Sequence, residues 1–290
     1  MDTQYQKDYY LNPCGFSLHH TSGFGAADST LSYLHRNAAV LLIYFLQGRG
    51  HVIVEESHYT VGPGDVILLH PGELYRCSVE DGDYHRRVVI HISEEAQRKL
   101  PPGSDALLQP LYTRSKGVGN HIPADLVHQS GADRLLEQLL HHCRLREPVA
   151  DVLAACKLLE LLASIRDLTC SNQTSHPEYS EKNPLVDTVL RYIHVHLRED
   201  MTLESIAAAC NIHKSYLSHL FKEYMGTSVW NYVILRRLYL FNSQLRAGDS
   251  VEQTCYAVGF QNYANFFRLY KKHMGITPLQ YKKQLLGEGA

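Results

Sequence analysis

The sequence predicts an α+β chain of two domains. A small β-barrel with two following helices comes first, and an all-α part built from two helix-turn-helix units comes second. Three observations predict this. Short apolar runs punctuated by Gly and Pro fill residues 31–95, a helical period takes over at 124–168, and one two-helix pattern occurs twice after Leu185. At 290 residues the chain is long enough for two cores, and its 44% apolar share can fill them.

The strand region reads in order. Residues 40–46 are an apolar, β-rich run broken by Gly48 and Gly50. Residues 51–55 and 59–61 read as a hairpin, Gly62-Pro63-Gly64-Asp65 as a turn, residues 66–69 as a strand and Pro71-Gly72 as another turn. Residues 75–79 and 87–92 are strands flanking a turn at Asp81-Gly82. Such frequent turn signals predict a sandwich or barrel.

In the next segment Leu135, Leu136, Leu139, Leu140 and Cys143 share one helical stripe. After Pro148, Val152, Cys156, Leu159 and Ala163 share another, so two antiparallel helices are expected. Residues 170–184 are polar and Pro-bearing and read as the linker between domains 1–169 and 185–290.

Charge separates the two domains. From Glu181 onward there are 13 Lys and Arg against 9 Asp and Glu, and the preceding residues hold 15 against 21. A basic end behind an acidic one fits a chain of which one end meets phosphate, though chance unevenness gives the same balance. The seven cysteines are scattered without a CxxC pair, which excludes a disulfide frame or zinc site and suits reduced thiols in the cytoplasm. No basic start followed by an apolar run opens the chain, and its longest apolar run, 38–46, is far too short to span a membrane. No membrane association is expected.

The repeated pattern points to function. In the first copy Leu203, Ile206, Ala207 and Cys210 form one helical stripe. A turn at Asn211-Ile212 follows, and then a second stripe of Leu217, Leu220, Phe221 and Tyr224. In the other copy Val251, Thr254, Cys255 and Val258 precede a turn at Gly259-Phe260 and the stripe Phe266, Leu269, Tyr270 and His273. The turn must enter left-handed backbone space, which Gly tolerates freely and Asn better than most residues. Ile212 and Phe260 then plug the angle between the helices. Thr202 suits an N-cap, and Ser250 with Gln253 suits a capping box.

Such a pair leaves its second helix protruding, as a major groove requires. At 100° per residue, Ser215, Ser218, His219 and Lys222 lie opposite the first apolar stripe, with Lys214 near the helix start. Opposite the second lie Arg268 and Lys271, with Asn262 and Tyr263 at the start and Asn265 at the edge. These groups can read base edges or grip phosphate. One such face alone would read as solvated surface; two matching copies favour double-stranded DNA.

Residues 201–283 resemble the DNA-binding domain of the AraC/XylS family of bacterial transcription regulators. The resemblance is strongest over Ala257-Val258-Gly259-Phe260-Gln261-Asn262-Tyr263-Ala264-Asn265-Phe266-Phe267-Arg268 and continues through Leu269-Tyr270-Lys271-Lys272. It extends to Met274-Gly275-Ile276-Thr277-Pro278-Leu279-Gln280-Tyr281 and, in the first unit, to Ser215-Tyr216-Leu217-Ser218-His219-Leu220-Phe221-Lys222-Glu223. The chain departs from the family pattern at His219, where Arg is frequent, and at Leu240 and Thr254, where Ala and Ile are usual. The resemblance implies two recognition helices joined by a long helix near residues 229–245, each entering one of two successive major grooves. On that helix Arg236 and Arg237 either touch phosphate or are solvated or salt-bridged.

The strand-rich part resembles the cupin-like barrel that precedes the DNA-binding domain in many family members, chiefly through Gly62-Pro63-Gly64-Asp65-Val66-Ile67-Leu68-Leu69-His70-Pro71-Gly72. Measured against the ligand pattern of metal-holding cupins, His35 stands alone: Asn37, Leu41 and Tyr75 occupy the other ligand positions. One ligand does not hold a metal, so no metal, cofactor or catalytic residue is expected. His35, Arg36, Tyr44, His70 and Tyr75 are either barrel-core residues or the lining of a pocket for a small polar effector such as a sugar. The resemblance further implies a homodimer, RNA polymerase as a partner, and activation of transcription. The Leu135/Leu136/Leu139/Leu140 stripe is either a dimer seam or packed on the barrel. Two rival readings are an effector-independent regulator and a metal-free cupin-like enzyme with an appended DNA-binding domain.

Overall fold

The computed structural model describes residues 6–24, 35–36, 39–55, 57–79, 84–171, 183–245 and 248–285. Two compact units follow one another, Met1–Glu181 and Lys182–Ala290.

In the first unit the strands are β1 (Gln6–Leu11), β2 (Ser17–Phe24), β3 (His35–Arg36), β4 (Val40–Gln47) and β5 (Gly50–Val54), then β6 (Ser57–Val61), β7 (Val66–Leu69), β8 (Leu74–Val79), β9 (Tyr84–Ile92) and β10 (His121–Ile122). Among the described residues they form two sheets, ordered β1-β2-β9-β4-β7-β10 and β3-β8-β5-β6. One apolar core lies between the sheets. Leu41, Ile43, Phe45 and Ile67 come from the first sheet, and Val52, Val54, Tyr59 and Cys77 from the second.

The other face of the six-stranded sheet is also covered. Val40, Leu42, Val88 and Ile90 pack there with residues of α4 (Ala132–Leu145) and α5 (Pro148–Cys170). Two covered faces explain why β4 is an uninterrupted apolar run rather than an alternating one. Three shorter helices complete the unit: α1 (Glu94–Lys99), α2 (Asp105–Thr113) and α3 (Ala124–Gln129).

The 51–55/59–61 hairpin forms as expected, with Val54 opposite Ser57. The expected pairing around Asp81-Gly82 does not: β8 joins the smaller sheet beside β5, while β9 lies between β2 and β4 in the larger. Asp81 and Gly82 themselves lie outside the described residues.

The first helical stripe packs inward, with Leu136, Leu139, Leu140 and Cys143 buried against the sheet and Leu135 partly so. The second stripe is not the buried face of its helix. Ala154, Leu158, Leu161, Leu162 and Ile165 are the buried side of α5, while Val152 is 62% exposed and Cys156 exposed. In so apolar a helix either face could have been the inner one. Of the segment read as linker, Cys170 still belongs to α5 and residues 172–182 lie outside the described set.

The second unit is helical: α6 (Pro184–Val195), α7 (Leu203–Ala209), α8 (Lys214–Met225), α9 (Val229–Gln244), α10 (Val251–Ala257), α11 (Tyr263–Met274) and α12 (Pro278–Leu285). Phe241, Phe260, Phe266 and Tyr270 centre its second core, with Leu240 packed against it. Thr254, a polar residue at a core position, is satisfied through its own hydroxyl, which donates to Ser250 O at 3.0 Å. No helix among the described residues is long and apolar enough to cross a membrane.

Candidate nucleic-acid interface

The two wedges are built alike, bond for bond. In the first, Asn211 takes φ 54° and the backbone N–H of Ile212 donates to Ala207 O at 3.0 Å. In the second, Gly259 takes φ 98° and the N–H of Phe260 donates to Cys255 O at 3.3 Å. The helices that enter these turns are capped similarly. Thr202 and Ser205 form a reciprocal capping box on α7. Ser250 caps α10 by accepting from the Gln253 backbone N–H alone, so the expected box is half made.

On α8 the inner face is Leu217, Phe221 and Met225. Lys214, Ser215, His219 and Lys222 are exposed and Ser218 is half-buried. Lys214 Nζ lies 2.6 Å from Glu204 Oε1 on α7, and that ammonium holds the carboxyl below the ordinary glutamate range. A phosphate must compete with Glu204 for this lysine. His219 stands within 3.9 Å of Glu223.

On α11 the inner face is Phe266 and Tyr270. Asn262, Asn265, Arg268 and Lys271 are exposed. Asn262 is also the N-cap, its Oδ1 accepting from the Asn265 N–H at 2.8 Å, which leaves its amide nitrogen to face outward. Arg268 Nη2 donates to Asn265 Oδ1 at 2.9 Å, so the two side chains are already aligned as a pair. With Ser218, Tyr263 is a partial exception among the ten residues. It is half-buried, its ring centroid 5.9 Å from that of Phe266, and burial raises its phenol pKa.

Sequence reasoning passed over His213, Tyr216 and Gln261, all exposed beside these ridges. Their position was the available signal, since a groove-reading helix presents its first turn to the bases. Arg237 faces inward and forms no ion pair among the described residues. It is 5% exposed, and it donates through Nε to Leu197 O at 2.9 Å and through Nη2 to Glu199 O at 2.7 Å. Its guanidinium carbon lies 5.9 Å from the Phe260 ring centroid. Arg236 Nη2 lies 3.0 Å from His194 Nε2.

Of the five sensor candidates, Tyr44, His70 and Tyr75 have described surroundings, and these differ. Tyr44 belongs to the core between the six-stranded sheet and the helices, with Asp133 and Glu137 of α4 acting on its phenol. Tyr75 packs against the core between the sheets, where burial pushes its phenol up to about 12. His70 follows β7, its ring 5.8 Å from that of Tyr112. His35 and Arg36 pair through their backbones with Tyr75 and Leu74, and their side chains lie outside the described residues. The unanticipated residue is Arg87. It opposes Phe45 and Thr21 in register and acts on the Tyr75 phenol. Its Nε and Nη1 are buried without a hydrogen-bond partner among the described residues.

Known proteins agree with this architecture. Residues 25–162 match the AraC-like ligand binding domain family and residues 206–284 a helix-turn-helix domain family. The HTH-type transcriptional regulator YdiP of Escherichia coli is 31% identical over 263 residues, covering 87% of this chain and 80% of that protein. The MmsAB operon regulatory protein of Pseudomonas aeruginosa is 27% identical over 255 residues, 86% of this chain and 77% of that one. The arabinose operon regulatory protein of E. coli is 25% identical over 245 residues, 82% and 78% respectively. All three relatives are named as regulators. With a sensor-type sheet domain ahead of two helix-turn-helix wedges, the chain belongs to the AraC/XylS family of DNA-binding transcription regulators.

Proposed function

We propose that this regulator is a cytoplasmic activator that binds specific double-stranded DNA sites through α8 and α11, as a homodimer, in response to a small polar effector. The observation behind the DNA sites is the doubled wedge with two outward polar ridges. Footprinting of the full chain on DNA upstream of its own gene tests it, and a footprint no sharper than on random DNA would sink it. Activation through RNA polymerase is tested by transcription in vitro from that promoter, where repression or no change would refute it. A sugar is one candidate effector, as the name of the arabinose operon relative suggests.

Arg268 is the strongest base-reading candidate, because its guanidinium is exposed and aligned by Asn265. Arg268→Ala should weaken specific binding by about 1–3 kcal/mol while leaving the fold intact. A gel-shift titration at fixed salt measures this, and an unchanged affinity removes Arg268 from the contact set.

The dimer reading moves from α4 to α5. Leu136, Leu139 and Leu140 are committed to the sheet, whereas Val149, Val152, Leu153 and Cys156 leave an apolar stripe on the outside of α5. A second copy of the same stripe would cover it, and coupling two DNA-binding units raises avidity by roughly 10²–10⁴. Val152→Glu should therefore yield a monomer in sedimentation experiments, with DNA affinity falling by a factor in that range. A Val152→Glu protein that remains dimeric places the seam elsewhere.

A further inference from the structure

The helical layer over the six-stranded sheet stops short. Strand alternation puts Tyr84, Arg86, Val88, Ile90 and Ile92 of β9 on one face. Val88, Ile90 and Ile92 are buried in the core shared with α4 and α5, while Tyr84 and Arg86 stand exposed past its edge. On β2 the same happens between buried Leu18 and half-buried His20. α4 ends at this gap, with Arg144 in its last turn and Arg146 as its C-cap.

The result is an open cavity of about 440 Å³, with Leu18 and Leu140 in its floor and Arg86, Arg144, Arg146 and His20 around it. No Asp or Glu lines it among the described residues. None of the three guanidiniums is in an ion pair among the described residues.

Simpler roles account for these arginines only in part. Arg144 complements the negative end of α4 from its own last turn, whereas Arg86 comes from strand β9. Arg146 occupies left-handed backbone at φ 51°, where Gly or Asn would sit with less strain. Its one hydrogen bond, Nη2 to Tyr9 O at 3.3 Å, leaves most of its fork unused. Three converging cations with no acid among them make a field that an anion relieves, and guanidinium forks match carboxylate and phosphate oxygens. The half-charge of the helix end is outweighed by three whole ones.

The space between the sheets is a poorer site. It is packed with apolar side chains, and the void beside Arg87, Phe45 and His85 measures about 10 Å³, room for roughly one water molecule.

We infer that the cavity at the β2/β9–α4 edge binds a small organic dianion, a dicarboxylate or a phosphate ester, as the effector of this unit. This rests on reading the N-terminal unit as the sensor. The ligand would tie β1, through Arg146 and Tyr9, to the end of α4 just before α5 begins.

The test is calorimetric titration and thermal unfolding of the full chain at low salt. Succinate and glycerol 3-phosphate are the two anionic probes, inorganic phosphate the selectivity probe and L-arabinose the uncharged one. The expected result is saturable binding of succinate or glycerol 3-phosphate with a rise in unfolding temperature. Which of them binds names the source of the dianion. Arg86→Ala/Arg144→Ala should weaken it by at least about tenfold, and Lys at both positions should recover part of the loss. Silence from both anions, binding of arabinose alone, phosphate binding as tight as that of glycerol 3-phosphate, or an unaltered double variant would each overturn the site. Footprinting on the promoter reports separately. An intact footprint without anion binding rejects the site alone, and anion binding without a footprint rejects the regulator reading alone.

Discussion

Gly259→Val should destabilise the second unit by about 2–5 kcal/mol, adding the cost of left-handed backbone for a side-chain-bearing residue to that of overpacking. Space and backbone conspire here. At φ 98° Gly259 has no room for a Cβ, which would lie 2.8 Å from Leu197 O, 2.9 Å from Arg237 Nε and 3.0 Å from Arg198 O. Two of these atoms, Leu197 O and Arg237 Nε, form one of the bonds by which Arg237 holds the loop after α6. The substitution therefore strains the turn and pries apart the arginine latch together. Trp230, the chain's one tryptophan, lies on α9 with its ring centroid 5.8 Å from the Arg237 guanidinium carbon, so its fluorescence reports on this unit. Urea titration read at Trp230 should give a markedly lower midpoint; a midpoint equal to the parent's contradicts the packing described.

Phe266→Ala should cost about 3–5 kcal/mol. Phe266 is fully buried, and its ring centroid lies 4.8 Å from that of Phe241, 5.0 Å from Phe260 and 5.5 Å from Tyr270. Through these rings α11 is fixed to α9 and to the turn after α10. Removing the hub empties the base of the recognition helix, so Arg268 and Asn265 lose their bearing even where the helix persists. The test pairs the urea midpoint with a gel shift: both should fall. A protein that loses stability while keeping its specific affinity would show that α11 does not read the bases.

The C-terminal wedges were legible because their constraints are local. The two turns, their left-handed residues and the polar ridges follow from helical spacing and from Asn211 and Gly259, and the observed helices keep the expected offsets: α10 starts 48 residues after α7, and α11 starts 49 after α8. Arg237 was not legible, because a buried arginine satisfied by backbone carbonyls looks in sequence like any basic residue beside another. The strands β4 to β9 were also readable from their turns. β1 and β2 were not, since His19, His20, Thr21 and Ser22 lack the apolar alternation that signals a strand, and their pairing with β9 is long-range. The surroundings of the sensor candidates were hidden for a different reason. Tyr44 and Tyr75 look equivalent as aromatic residues in strands, yet strand parity and sheet membership send them to different cores. Arg87, one residue from Arg86, faces the opposite way by the same alternation. No property of a single residue distinguishes such neighbours; only the register does.

The connecting helix α9 has 16 residues, a rod of roughly 24 Å. Successive major grooves on straight duplex are spaced about 34 Å apart. With Arg237 bracing the rod against the loop after α6, the protein has little slack to widen its stride. Lodging both wedges at once should then make the duplex curve toward the protein, with an ease that depends on the base steps in between. Operator choice should thus extend to nucleotides that no side chain reaches, with a supple step midway between the half-sites as informative as a matched base.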